Sequence, residues 1–172
     1  TNFDCVAKEH EILFSADEQS GLPDIYADSQ RLGQVLTNLV SNAIKFTPKG
    51  KNITIKSELK NANDIITNKY FENEIKQLHG DYIVVSVIDQ GIGIKEENLL
   101  KAFDKFSQIE NSLSRKVGGT GLGLPIARQL IKAHKGTIWC DSEEEKGSSF
   151  HFALPVNTEN SEGVTIQKEL LS

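Results

Sequence analysis

The chain has 172 residues, of which 38% are hydrophobic and 25% charged, a balance typical of one soluble globular domain with a sizeable core. Its formal net charge of −5 argues against general nucleic-acid binding, which needs a basic face. No apolar run approaches the roughly 20 residues of a membrane span, and no secretory signal opens the sequence.

The first half of the sequence predicts two short strands, one long helix and a third strand. These elements cover, in order, residues 11–17, 24–27, 28–46 and 52–59. The helix begins at Asp28, a favourable N-cap, and it is stopped by Pro48 and Gly50. Residues 60–80 are polar and then partly amphipathic, and they are the hardest to interpret.

The second half predicts a buried strand, two helices and a closing pair of strands. They cover, in order, residues 82–88, 96–102, 122–134, 136–141 and 148–154. The strand at 82–88 is a nearly continuous β-branched run, as expected of a central strand. Because helices and strands mix without regular βαβ alternation, we predict an α+β sandwich of one sheet and one helical layer. The domain is predicted to span residues 1–156, followed by a flexible polar tail at 157–172.

Two cysteines, Cys5 and Cys140, form neither a CxxC motif nor a metal-binding spacing. A disulfide framework is therefore not expected, and the sequence favours a reducing, cytoplasmic compartment. Since Thr1 is not a natural start, we expect the chain to be cut from a longer protein.

The long helix carries a polar stripe opposite its apolar face. Amide oxygens one turn apart, from Asn38 and Asn42, suit Mg²⁺, which prefers hard oxygen ligands. Lys45, one turn further on, is placed to meet a phosphate. A solvated polar face is the alternative interpretation. The side chains of the stripe fall within roughly 80° of one another on the helical wheel; they are Arg31, Gln34, Asn38, Asn42 and Lys45.

Asp89 stands where the strand at 82–88 ends, and Gly91, Gly93 and Ile94 follow it closely. Glycines permit a tight backbone and let a ligand approach. An ionised carboxylate here would accept a hydrogen bond from an exocyclic amine such as that of adenine. A plain Asp-x-Gly turn is the alternative.

A glycine cluster at residues 118–125 leads into the helix at 122–134. Its backbone N–H groups and the helix N-terminus predict a phosphate cradle. The pattern is not a P-loop, and no strand precedes it as in a dinucleotide fold. A flexible hinge is the alternative, and a loop that closes on a ligand needs hinges as well.

Four segments, in order and in spacing, resemble the sequence boxes of histidine kinases. Residues 28–46 resemble the N box, 89–94 the G1 box, 103–106 the F box and 119–124 the G2 box. The resemblance covers nearly the whole chain, from about Glu11 to Pro155. It implies the Bergerat fold, a mixed sheet with helices packed on one face and an ATP lid. It also implies a two-component sensor kinase that uses ATP and Mg²⁺.

The resemblance implies a role for each matching residue. Asn38 and Lys45 would serve in catalysis, and Asn42 and Asn38 would hold magnesium. Asp89 would bind the adenine amine. The other residues implied to contact the nucleotide are Asn42, Phe46, Gly91, Gly93, Ile94, Phe106, Gly119, Thr120, Gly121, Leu122 and Gly123.

Residues 103–118 would form the ATP lid, and Arg115 and Lys116 within it would touch the γ-phosphate. Residues 56–81 depart from the family pattern, since the connection between the two strands is longer than the family needs. We interpret this segment as an insertion. An extra helix, a partner surface and a disordered insertion are the open alternatives.

Asn38 separates a kinase from a hydrolase on this fold. The Bergerat fold also serves DNA gyrase, mismatch-repair ATPases and a heat-shock chaperone family, which typically carry a water-activating glutamate at the position of Asn38. Because an amide cannot take a proton at neutral pH, Asn38 favours transfer to a supplied histidine. An ATPase or anti-sigma-type serine kinase and a non-catalytic interaction module are the rival hypotheses.

The phosphoacceptor histidine of the family lies in a motif like H-E-x-x-T-P, which this sequence lacks. Its acceptor is therefore expected on a helical dimerisation domain outside the chain, with a response-regulator receiver domain downstream. The fragment is predicted to be monomeric and its parent homodimeric, and the sequence leaves open whether the parent is anchored in the inner membrane. Predicted to be structural or surface residues are His10, His79, His134 and His151.

Overall fold

The computed structural model describes residues 9–105 and 121–156. Within these residues, five strands form one mixed sheet in the order β1-β2-β3-β5-β4. β1 and β2 pair in parallel, and the other neighbouring strands are antiparallel. β3 lies between β2 and β5, which confirms the predicted central strand. The strands are β1 (Leu13–Glu18), β2 (Asn52–Asn61), β3 (Asp81–Asp89), β4 (Thr137–Glu143) and β5 (Gly147–Pro155).

The helical layer of the described residues consists of α1 (Ser29–Phe46), the single-turn α2 (Glu72–Ile75) and α3 (Gly123–Ala133). α1 begins where the Asp28 carboxylate accepts a hydrogen bond from the Arg31 N–H at 3.0 Å, which satisfies a donor at the helix end. α1 and α3 lie side by side against the sheet, and their apolar faces build the core between the layers. This arrangement confirms the predicted α+β sandwich. None of the helices in the described part of the chain is long and apolar enough to span a membrane.

Two short elements differ from the prediction. Residues 24–27 do not form a strand, and Tyr26 makes only an isolated bridge, because Pro23 lacks an N–H and α1 follows too soon for a ladder. The helix predicted at 96–102 is replaced by two 3₁₀ turns, Glu96–Asn98 and Lys101–Phe103, neither of which has a side-chain cap. A run this short without a cap does not sustain an α-helix.

The long connection between β2 and β3 is packed against the helical layer. Residues 56–61 extend β2, and Phe71 is fully buried, with its ring edge-on to Phe103 at 5.7 Å between centroids. Glu74 pairs with Arg128 of α3 at 3.3 Å. The connection at 62–80 therefore contributes to the core of the domain, and its use as a partner surface stays a prediction.

Candidate functional site

Three segments meet at one end of the sandwich: α1, the loop that follows β3, and the start of α3. The Phe46 carbonyl, at the end of α1, accepts a hydrogen bond from the Ile92 N–H at 3.3 Å. Asn38 donates from Nδ2 to the Gly123 carbonyl at 3.0 Å. α1 therefore contacts both glycine-containing segments that the sequence singled out.

Asp89 is the buried carboxylate of this region, with 6% of its surface exposed. Its Oδ1 accepts from the backbone N–H of Gly91 at 2.8 Å and from that of Ser148 at 3.1 Å. No donor among residues 9–105 and 121–156 reaches its other oxygen, Oδ2. Burial raises the pKa of the Asp89 carboxyl, and the two backbone N–H groups oppose that rise. One oxygen is thus fixed, and the other is left for a ligand.

Two glycines allow the loop after β3 to lie against neighbouring backbone. A Cβ on Gly91 would come within 2.6 Å of the Phe46 carbonyl oxygen and 2.7 Å of Asp89 Oδ1. A Cβ on Gly93 would come within 2.0 Å of the Glu143 carbonyl oxygen, and Gly93 has a φ of +69° that favours glycine. A larger residue at either position would displace the backbone that holds Asp89.

The polar face of α1 borders the same region, where Asn38, Asn42 and Lys45 are half-buried. Asn38 uses its amide nitrogen on Gly123, so its amide oxygen is the atom that remains for a ligand. Lys45 Nζ lies 4.9 Å from the centroid of the Phe46 ring, a cation–π contact. The structure thus holds the Lys45 ammonium beside Phe46, and the contact of Lys45 with a phosphate stays a prediction.

The start of α3 leaves helix-end donors without a side-chain cap. Gly121 has a φ of +66°, and Leu122, the N-cap residue, makes no side-chain cap hydrogen bond. Uncapped N–H groups at a helix N-terminus favour an anion. Five further residues predicted to contact the nucleotide lie outside the described residues: Phe106, Arg115, Lys116, Gly119 and Thr120.

Phe103, where the predicted lid begins, belongs to the core. It is 4% exposed, and its ring lies edge-on to Phe71 at 5.7 Å and to Phe150 at 6.2 Å. Residues 106–118 of the predicted lid lie outside the described residues.

Sequence reasoning missed two serines at this site. Ser148 supplies the second N–H to Asp89, and Ser142 Oγ accepts from the Ile94 N–H at 2.8 Å. The first contact joins residues that are 59 positions apart in the sequence, and the second joins residues that are 48 positions apart. The donors are backbone N–H groups, which every residue type except proline carries. No local pattern could have identified them.

The half-paired Asp89 carboxylate, the polar face of α1 and the start of α3 without a side-chain cap are features typical of a nucleotide-binding α+β sandwich. Comparison with known families agrees with this class. The sequence profile of the family described as histidine kinase-, DNA gyrase B-, and HSP90-like ATPase matches residues 27–158. The chain belongs to this family.

Curated relatives are sensor kinases that are longer than the chain. Sensor histidine kinase WalK of Bacillus subtilis (strain 168) is 38% identical over 138 residues, which cover 79% of this chain and 20% of WalK. Adaptive-response sensory kinase SasA of Microcystis aeruginosa is 34% identical over 149 residues, which cover 87% of this chain and 34% of SasA. The chain therefore spans only part of the length of these relatives.

Solved structures share the fold. The nucleotide-free catalytic domain of histidine kinase ThkA superposes with a TM-score of 0.67 and 32% identity, covering 90% of this chain and 87% of that one. Full-length ShkA in complex with AMPPNP gives a TM-score of 0.71 and 26% identity, covering 93% of this chain and 29% of that one. The predicted Bergerat fold is confirmed, and the chain is an ATP-binding catalytic domain of the histidine kinase type.

Proposed function

We propose that this domain binds Mg-ATP between α1, the loop at 89–94 and α3, and donates the γ-phosphoryl group to a histidine on a separate dimerisation domain. The half-paired Asp89 carboxylate carries the proposal. Its second oxygen can accept a hydrogen bond from a donor group of the ligand, whereas it repels an acceptor group at the same place. Adenine offers an amine at its 6-position, whereas guanine offers a carbonyl. The same oxygen thus selects the base.

The other contacts follow from the surroundings of Asp89. Phe46, Gly91, Gly93 and Ile94 are proposed to enclose the adenine, since the loop that contains them packs against the end of α1. The phosphates are assigned to Lys45, by charge, and to the N–H groups at the start of α3. The proposal also includes, from sequence resemblance, Phe106, Gly119, Thr120, Gly121, Leu122 and Gly123, with Arg115 and Lys116 at the γ-phosphate.

Asn38 and Asn42 are the proposed magnesium ligands. Both are half-buried on the same face of α1, and Asn38 keeps its amide oxygen available by donating from Nδ2 to Gly123. Amide oxygens, completed by water and phosphate oxygens, fit the donor set that Mg²⁺ takes in nucleotide sites. When bound, magnesium offsets the negative charge that the phosphates gather during transfer.

Phosphoryl transfer needs little from the protein besides position and charge. An imidazole nitrogen of the acceptor histidine forms the new P–N bond while the bond from the γ-phosphorus to the bridging oxygen breaks, and ADP leaves with that oxygen. Asn38 has no group that takes a proton at neutral pH, so it does not activate water. An amide at position 38, in place of a general base, therefore favours phosphoryl transfer to histidine over hydrolysis of ATP.

The remaining proposals concern the parent protein. The acceptor histidine is assigned to its dimerisation helices, and a receiver domain of a response regulator is the proposed next acceptor. The chain alone is proposed to be monomeric and unable to phosphorylate itself.

The test combines this chain, γ-labelled Mg-ATP and the helical hairpin of its own parent. We expect label on the hairpin, and none when the hairpin histidine is replaced or when the chain carries Asp89→Asn. Robust ATP hydrolysis without label on histidine would contradict a kinase and favour the ATPase alternative.

A further inference from the structure

The hydroxyl of Ser142 lies behind the proposed adenine contact. Its Oγ accepts from the Ile94 N–H at 2.8 Å, donates to the Gly147 carbonyl at 2.9 Å and lies 3.0 Å from the Ser148 hydroxyl. Since a hydroxyl has one proton, Ser148 is the donor in the last pair when Ser142 donates to Gly147. The one proton and both lone pairs of Ser142 are then used.

One branch of this arrangement leads to Asp89. The Ser148 N–H donates to Asp89 Oδ1 at 3.1 Å, and a Cβ on the preceding Gly147 would lie 2.1 Å from the Asp89 carbonyl oxygen. The backbone at 147–148 is therefore packed directly against the aspartate. Ser142 hydrogen-bonds to both residues of this segment, to the carbonyl of Gly147 and to the hydroxyl of Ser148.

The other branch leads to the loop at 89–94. Ser142 fixes the end of that loop through the Ile94 N–H, and the Glu145 N–H donates to the Ile92 carbonyl at 2.7 Å. The turn between β4 and β5 and the loop after β3 are thus joined at two points. Asp89 lies between them.

We propose that Ser142 is a positioning residue that enables the site to select a 6-amino purine over a 6-oxo purine. The inference rests on the proposed function, and Ser142 itself does not touch the nucleotide. A carboxylate oxygen distinguishes an amine from a carbonyl only when it is aimed at that position, because hydrogen bonds weaken steeply with angle. Without the Ser142 hydroxyl, the Ile94 N–H and the Gly147 carbonyl lose their partner, and the segments that aim Asp89 shift toward other donors and acceptors.

The test measures Kd for Mg-ADP and Mg-GDP by calorimetry on the 172-residue chain. Ser142→Ala, which removes three part-buried hydrogen bonds, should weaken ADP binding about tenfold and should change GDP binding much less. The ADP-to-GDP preference then shrinks. Ser142→Thr, which keeps the hydroxyl, should restore the preference. Ser149→Ala is the matched control. Ser149 follows Ser148 in β5 and is half-buried, but its partners in the neighbouring strands are Ile88 and Asp141 rather than Ser142.

Two results would overturn the inference: an ADP-to-GDP preference that is unchanged in Ser142→Ala, including an equal loss for both nucleotides, or no rescue of the preference by threonine. If the alanine variant does not fold, Ser142→Cys replaces it, since a thiol has a similar size but hydrogen-bonds weakly, and a reduced preference is again expected. Failure of the proposed function is distinguishable, because the unsubstituted chain would then bind ADP no better than GDP.

Discussion

The burial of Asp89 opposes stability, whereas its proposed role is in nucleotide binding. Its pKa is raised in the folded chain by burial, so the folded state favours the protonated form. The stability contribution of such a group is full below the unfolded pKa and is lost as pH rises through the folded pKa. At neutral pH the ionised carboxylate therefore costs folding free energy.

Asp89→Asn should separate these two effects. The amide oxygen still accepts from Gly91 and Ser148, while the negative charge and the second acceptor are gone. We expect ADP binding to be lost, with a free energy of unfolding at pH 7 equal to or above that of the unsubstituted chain. The stability difference should narrow as pH falls, because the native carboxyl becomes protonated. Urea unfolding at pH 7 and at pH 4 measures it, and a variant clearly less stable at pH 7 would disprove this account.

At the scale of elements, α1 is hydrogen-bonded to both ends of α3. Asn38 contacts Gly123 at the start of α3, and His134, just after its end, meets the start of α1. His134 Nε2 accepts from the Asp28 N–H at 3.1 Å, so the proton lies on Nδ1, which is 2.7 Å from the Leu130 carbonyl oxygen. Both ring nitrogens of His134 thus bond to backbone groups of the helical layer.

His134→Ala should lower the free energy of unfolding by about 1 kcal/mol, since it leaves the Asp28 N–H and the Leu130 carbonyl without this partner. His79→Ala is the control, because His79 is exposed and bonds only to the nearby Gln77 carbonyl among the described residues. Urea denaturation of both variants measures the difference. Equal midpoints would show that His134 does not join the helices energetically.

At the scale of the whole molecule, the connection at 62–80 should stabilise the domain through Phe71. Phe71→Ala removes a fully buried ring that meets Phe103, and we expect a loss of about 3–5 kcal/mol. Ile66→Ala is the control in the same connection, because Ile66 is 87% exposed and its truncation should change stability by less than about 0.5 kcal/mol. Similar effects of the two substitutions, measured by thermal unfolding, would mean that the connection is peripheral.

Local signals explain which parts of the fold and site were predictable. The cap at Asp28, the β-branched run of β3 and the glycines beside Asp89 are all visible within a few neighbouring residues. The positions of Ser142 and Phe71 were not, because their contacts depend on strand register and on packing between segments distant in sequence. Tyr26 was predicted only in part, since the β-like sequence at 24–27 forms a single isolated bridge instead of a strand.

The hydrogen bond between Asn38 and Gly123 bears on how a kinase of this fold could be redesigned as a hydrolase. A glutamate at position 38 would offer a base, but it would replace an amide donor with a carboxylate facing the Gly123 carbonyl. Two acceptors repel, so the new base would turn away and the hydrogen bond from position 38 to the start of α3 would be lost. We expect Asn38→Glu alone to give no gain in ATP turnover, measured as phosphate release. We expect conversion to need a second change that supplies a donor at the start of α3.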